Sequence, residues 1–399
     1  MLDLAVKLVS SALFVAIGGL WSTYALFKIT TSILHNGFKK TFANKQRRVP
    51  SLYESWKPRD EPETTETQWN HSYVTTPVSG LRFHYVWAGQ CPEHISFELD
   101  GDTTLSCHVK ERTTKLVLCL HGFPECWFSW RHLLREFEKR SSKDDASYFV
   151  VAMDMRGYGG SDVPTGIASY HLTQLSSDVK NVVTSLGYEV CVLVAHDWGG
   201  VVAWEVSERY PEILEGMMVL NCPHPKAGVD IATKSLRQVF IKSWYMFFFM
   251  VPALPEIYIS HNNFWFLREN LNGGGKWKTT KLTSDELEVY SYSLGGASTK
   301  ASINYYRALI LPIYQQKDRD KRMPSATAKY PIRLVWGTQD PYMGVAMAER
   351  TKVYLPANES PNSRSEVLLV ADAGHFLQQD KPHQVTHLVR EFLADLYDS

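Results

Sequence analysis

Asp197 stands where an unbroken apolar run, residues 190–195, meets Gly199-Gly200 and a helical stretch that Pro211 ends. A carboxylate between a strand and a helix has two readings. The bland one is a helix N-cap, the ordinary role of a lone Asp in that place. The chemical one is a nucleophile, because Ala195, Gly199 and Gly200 are the small residues that a sharp strand-to-helix turn requires where two backbones approach closely. Asp197 is not alone. Asp340 follows an apolar run at 332–336, His375 follows one at 367–370, and His121-Gly122-Phe123-Pro124-Glu125 follows one at 116–120. A nucleophile, then an acid, then a histidine, each just past a strand, is the chain order of covalent catalysis in which the histidine, oriented by the acid, serves as base. Asp197 is therefore expected to be the nucleophile, Asp340 the orienting acid and His375 the base.

The elements that must hold these groups follow from the same pattern. Apolar runs without alternation read as strands buried on both faces, as in a parallel sheet. Residues 81–89 alternate as a half-buried strand should, and a further strand at 148–153 leads into Asp154-Met155-Arg156-Gly157-Tyr158-Gly159, read as a braced structural loop. After Asn221-Cys222-Pro223-His224-Pro225 the strand-turn-helix rhythm stops, and it resumes near Tyr330-Pro331-Ile332. The interval is rich in aromatic residues, as in Trp244-Tyr245-Met246-Phe247-Phe248-Phe249-Met250, and is broken by Pro252, Pro255 and residues 273–275. It reads as an inserted helical cap. The apolar part of it, 239–254, could equally be packing or a second membrane contact, although it is short for a span and contains Pro252.

With these motifs in this order the chain resembles the epoxide hydrolases of the α/β-hydrolase family, in particular the membrane-anchored vertebrate epoxide hydrolase 3 and 4 group. The resemblance runs from about Trp69 to the C-terminus and rests on Arg82-Phe83-His84-Tyr85-Val86, the His121 to Glu125 and Asp154 to Gly159 stretches, His196-Asp197-Trp198-Gly199-Gly200, and Gly374-His375-Phe376-Leu377-Gln378-Gln379-Asp380. It implies an α/β fold with a mostly parallel central sheet and an inserted helical cap. It also implies that the backbone amides of Phe123 and Trp198 form an oxyanion hole, and that two cap tyrosines, by position Tyr245 and Tyr306, hydrogen-bond the epoxide oxygen. Tyr305 is the residue most easily confused with Tyr306. Some relatives carry the acid after the preceding strand; here that position is Asn221, which cannot be charged, so Asp340 takes the role. No cofactor or metal is implied.

Composition bounds the partners. Lys and Arg together number 42, as do Asp and Glu, and no basic cluster lies beyond the N-terminal region, so a nucleic-acid surface is not expected. Six cysteines without a Cys-x-x-Cys spacing read as free thiols. Residues 8–27 carry no charge and match the ~20 residues that a spanning helix needs. Lys7 precedes them, whereas Lys28, Lys39, Lys40, Lys45, Arg47 and Arg48 follow. By the positive-inside bias this predicts a single-pass anchor with the catalytic part in the cytosol, at the endoplasmic reticulum. The expected organisation is an N-terminal transmembrane anchor at 1–28, a juxtamembrane connector without chemistry at 29–66, a hydrolase core at 67–222 and 325–399, and the cap at 223–324. Within the core an insertion at 91–113 carries a hairpin signal at Asp100-Gly101.

The expected substrate is a small apolar epoxide, with fatty-acid epoxides favoured by the aromatic cap and the anchor. Two alternatives stay open. A haloalkane or haloacid dehalogenase shares the Asp, the His and the elbow but has no need of paired phenols. A catalytically inactive member could serve as a lipid-binding or interaction protein.

Overall fold

The computed structural model describes residues 2–41, 49–56, 67–92, 114–140, 148–232, 234–235, 238, 242–272, 282–311, 328–356 and 365–397. In chain order the elements begin with helices α1 (Leu2–Asn36), α2 (Phe38–Thr41) and α3 (Ser51–Glu54), then the short strands β1 (Ser55–Trp56) and β2 (Thr67–Gln68). The core follows: β3 (Asn70–Thr75), β4 (Arg82–Gly89), β5 (Lys115–Leu120), α4 (Arg131–Arg140), β6 (Tyr148–Met153), α5 (Leu172–Ser185), β7 (Cys191–His196), α6 (Trp198–Arg209) and β8 (Leu214–Leu220). The cap holds α7 (Pro225–Ala232), α8 (Trp244–Phe248), α9 (Leu254–Leu271, kinked at 261–264), α10 (Ser284–Ser293) and α11 (Ala297–Ile310). The core closes with β9 (Ile332–Gly337), α12 (Val345–Thr351), β10 (Glu366–Val370), α13 (Leu377–Asp380) and α14 (Pro382–Tyr397).

Eight strands form one sheet in the order β10-β9-β8-β7-β5-β6-β4-β3. From β10 to β6 all pairings are parallel; β4 and β3 join antiparallel at one edge. The unbroken apolar runs fall in the interior of this sheet, and every residue of β7 is buried. That is what a strand covered by helices on both faces must look like, each buried Val or Leu contributing about 1.5–3 kcal/mol. Helix α4 packs on α14, and α5 packs on α6. The parallel arrangement has one functional consequence: the ends of β5, β7, β8, β9 and β10 all open on the same rim, where α/β sheets bind their ligands. The cap is tied down over that rim. Arg131 at the start of α4 pairs with Glu286 of α10 at 3.1 Å and donates to Gln379 of α13 at 2.6 Å, while the Thr283–Glu286 capping box fixes the start of α10.

Two expectations concern the chain before the core. Part of the connector stretch is helical and packed: α1 continues to Asn36, and α3 carries Tyr53 into the core, where its ring stacks on His71 and His84 and meets Trp127 edge-on. An aromatic residue in a polar stretch was enough to dock it. As for the anchor, part of the 8–27 run lies outside the residues whose side chains are described. Among the described residues no helix is long and apolar enough to cross a membrane. The Asp100-Gly101 hairpin also lies outside the described residues.

Candidate active site

The turn after β7 does not fit the capping reading of Asp197. Its backbone adopts φ 48° and ψ −115°, outside the regions an L-residue occupies at ease, and its side chain makes no capping bond to α6. The carboxylate instead reaches across to the next strand's turn, where Oδ1 accepts the Phe123 amide at 2.8 Å. Close approach makes this geometry possible. A Cβ on Gly199 would lie 2.4 Å from the Leu120 carbonyl oxygen, and one on Gly122 would lie 2.4 Å from Asp197 Cβ.

Three more strand ends supply the rest. His375, past β10, donates from Nδ1 to Asp340 Oδ2 at 2.8 Å and turns Nε2 toward Asp197 Oδ2 at 3.5 Å. Asp340, past β9, also accepts the amides of Tyr342 and Met343 at Oδ1, and the Asn221 side chain at Oδ2. Asn221 sits at the end of β8 with φ 43° and is a buttress: its Nδ2 donates to Asp340 at 2.7 Å and its Oδ1 accepts the Gly337 amide at 3.1 Å. The residue that excluded itself as the acid therefore holds the acid in place.

The electrostatics follow from these contacts. Burial pushes the Asp197 carboxyl up, but the His375 ring and the Phe123 amide outweigh it and hold it below the ordinary carboxylate range. Burial opposes charge on His375 as well, yet Asp340 and then Asp197 lift it to about 10. Asp340, buried and facing His375, stays below its usual value. The free site thus holds an imidazolium between two carboxylates.

The cap completes the enclosure. Tyr245 of α8 and Tyr306 of α11 meet edge-on, with ring centres 5.8 Å apart, and both line a cavity with Asp197, His375, Phe123, Pro124, Trp244, Phe266, Asn270, Tyr342 and Phe376. Burial and then the Asp197 charge raise Tyr245 well above an ordinary phenol; burial and Tyr245 do the same for Tyr306. Both remain O–H donors throughout the neutral range. Tyr305 is elsewhere: fully buried, it donates to the Arg156 carbonyl at 2.7 Å and clamps the cap to the loop after β6. Arg307 organises the approach to Tyr245, donating to the carbonyls of Phe249 and Val251 while paired with Glu256. Trp198 opens α6, so its amide is among the first of that helix, and its ring packs edge-on against Tyr306.

Sequence reasoning missed Glu125 and His196. Glu125 Oε2 accepts the Gly122 amide and lies 2.6 Å from His196 Nδ1, while His196 Nε2 donates to the His375 carbonyl at 2.8 Å. Ser129 and Gln378 donate to the other carboxylate oxygen. This buried network ties the turn after β5 to the strand before Asp197 and to the His375 loop. Its signal was present, since an acid and a histidine inside otherwise apolar motifs need partners.

Comparison with known proteins gives the family. A profile of the α/β-hydrolase fold matches residues 115–382. The chain is 38% identical to mouse epoxide hydrolase 4 over 333 residues, 82% of this chain and 80% of that protein. This chain belongs to the epoxide hydrolase family of the α/β-hydrolase fold. It is also 31% identical to epoxide hydrolase 1 of Caenorhabditis elegans over 91% of this chain and 78% of that one. Among solved structures it matches a variant of an epoxide hydrolase from Bacillus megaterium that holds its naphthyloxy-propanediol product, with TM-score 0.64, 29% identity, and coverage of 80% of this chain and 99% of that one. As an epoxide hydrolase, the chain is a hydrolase whose substrate must reach a narrow cavity of about 40 Å³ between core and cap, room for a few waters. A wider groove of about 800 Å³ lies against other residues of α11, including Lys300 and Arg307, and holds none of the site residues.

Proposed function

We propose that this enzyme converts apolar, lipid-type epoxides to vicinal diols through a covalent ester on Asp197. The observation that carries the reading is the pair of neutral phenols, Tyr245 and Tyr306, lining one mostly aromatic cavity together with the Asp197 carboxylate. Asp197 attacks one ring carbon while the phenols donate to the departing oxygen, which would otherwise leave as an alkoxide. A carboxylate suits this step because its alkyl ester can be hydrolysed. Esterification also removes the Asp197 charge from beside His375, one of the influences that raise it, so the ring can give up its proton, which restores the phenol that donated to the epoxide oxygen, and become the base. His375, held by Asp340, then deprotonates water, which adds to the ester's carboxyl carbon. The Phe123 and Trp198 amides receive the oxyanion, and the diol leaves.

Paired phenols favour this reading over dehalogenation, which needs halide donors and no acid. Diol formation measured beside halide release, over fatty-acid epoxides, aryl epoxides and haloalkanes, tests it. Turnover of long-chain epoxides without halide release is expected. His375→Gln should accumulate a substrate-sized mass on the peptide containing Asp197. We further propose that α1 holds the chain at the endoplasmic reticulum membrane with the catalytic body on the cytosolic side, its exposed Leu20, Leu26 and Phe27 facing lipid while its other face stays packed on the cap, on the strength of the uncharged 8–27 run and the basic residues after it. Protease accessibility of the body in sealed microsomes, and the absence of glycan on Asn70, are the expected results.

A further inference from the structure

Helix α1 was expected to be separate from the catalytic machinery, yet one of its faces is packed on the cap. Gly18, Ala25 and Ile29 are buried along a stripe of helical spacing, whereas Leu20, Leu26 and Phe27 on other faces are exposed. This stripe lies against α8 and α9. At Gly18 the two helices are at van der Waals distance, since a Cβ there would sit 3.5 Å from the Phe247 carbonyl oxygen. One turn further, the Trp21 indole stacks on the Trp244 indole at 3.7 Å between centres, with 22° between planes. Trp244 itself lines the cavity, and the next residue is Tyr245.

Helix α8 has only five residues and no side-chain cap, so its own hydrogen bonds fix it weakly and its placement depends on what it packs against. Inside the cavity, the Tyr245 ring is braced edge-on by Phe249, Tyr306 and Tyr342. Outside it, the brace is α1. We propose that Trp21 is a positioning residue for epoxide opening: through Trp244 it sets the placement of Tyr245, so the N-terminal helix is a wall of the active site. The two chemical steps depend on this wall unequally. Ester formation needs the phenol at the ring oxygen; ester hydrolysis needs His375, Asp340 and the amides, all held by strand ends remote from α1.

The inference rests on the ester mechanism proposed above, and the test separates the two. In the full chain in detergent micelles, styrene oxide is followed under single-turnover conditions by rapid quench, with ester on Asp197 and diol measured separately. Trp21→Ala should slow ester formation by about tenfold or more, as small misplacements of a catalytic group do, and leave the ester's hydrolysis rate unchanged. Trp21→Phe should restore the first rate. Gly18→Leu, which adds bulk against the Phe247 carbonyl and Val251 and pushes α1 away from α8, should reproduce the alanine effect. The exciton couplet that a stacked indole pair gives in circular dichroism should vanish in Trp21→Ala. Loss of that couplet with unchanged ester formation would overturn the proposal, as would both steps slowing together with a fall in Tm. Wild-type turnover without any ester on Asp197 would overturn the covalent mechanism and this inference with it.

Discussion

His375 Nε2 lies 3.5 Å from Asp197 Oδ2, while Nδ1 of the same ring is bound to Asp340 at 2.8 Å. One histidine therefore faces two carboxylates, and in the proposed mechanism its charge depends on whether Asp197 has been esterified. Replacing Asp197 with Asn copies that loss of charge. The His375 pKa, about 10 in the free enzyme, should fall in Asp197→Asn, read by NMR titration of the ring. An unchanged value would mean that Asp340 alone sets it. The sign for stability follows. The folded pKa is raised above the unfolded one, so this stabilisation is full below about pH 6.5 and is lost as pH rises through about 10.

In the proposed mechanism Tyr245 and Tyr306 share one task, so each single Phe substitution should leave part of the activity. A general acid contributes about 10²–10⁴-fold. We expect kcat for a non-activated epoxide to fall by about tenfold to a hundredfold in Tyr245→Phe or Tyr306→Phe, and further in the double variant. Tyr305→Phe should act differently: it removes the bond to the Arg156 carbonyl and lowers Tm, with a smaller effect on ester formation. Equal kinetic losses at Tyr305 and Tyr306 would contradict the assignment.

Asn221→Ala should reduce both stability and the hydrolytic step. It leaves the Gly337 amide without its partner and removes a donor from Asp340. An unsatisfied buried group costs about 1–3 kcal/mol, which urea unfolding at neutral pH would detect. Asn221→Asp tests the same contact from the other side, since a second carboxylate beside Asp340 should raise His375 further and slow ester breakdown.

Much of this candidate site was legible in the chain because Asp197, Asp340 and His375 each follow an apolar strand, and burial on both faces leaves a pattern that composition cannot disguise. Asp197, Asp340 and His375 were found that way. The cap tyrosines were assigned by resemblance, since a phenol among aromatic residues carries no local mark; only the fold shows that Tyr305 turns to Arg156 and Tyr306 to the cavity. Glu125 and His196 were quoted within motifs without a role, because their partners lie in strands far apart in sequence. Tyr53 and Trp21 were invisible for the same reason. Their stretches read as connector and anchor, and nothing local announces that an aromatic ring there will meet His84 or Trp244.

The central claim is that solvent oxygen enters the diol by way of Asp197. With enzyme in excess over a long-chain epoxide in oxygen-18 water, the account predicts that diol from the first turnover carries no label while the peptide containing Asp197 gains one oxygen-18. Labelled diol in that first turnover, with Asp197 unlabelled, would mean that water attacks the ring directly and would contradict it.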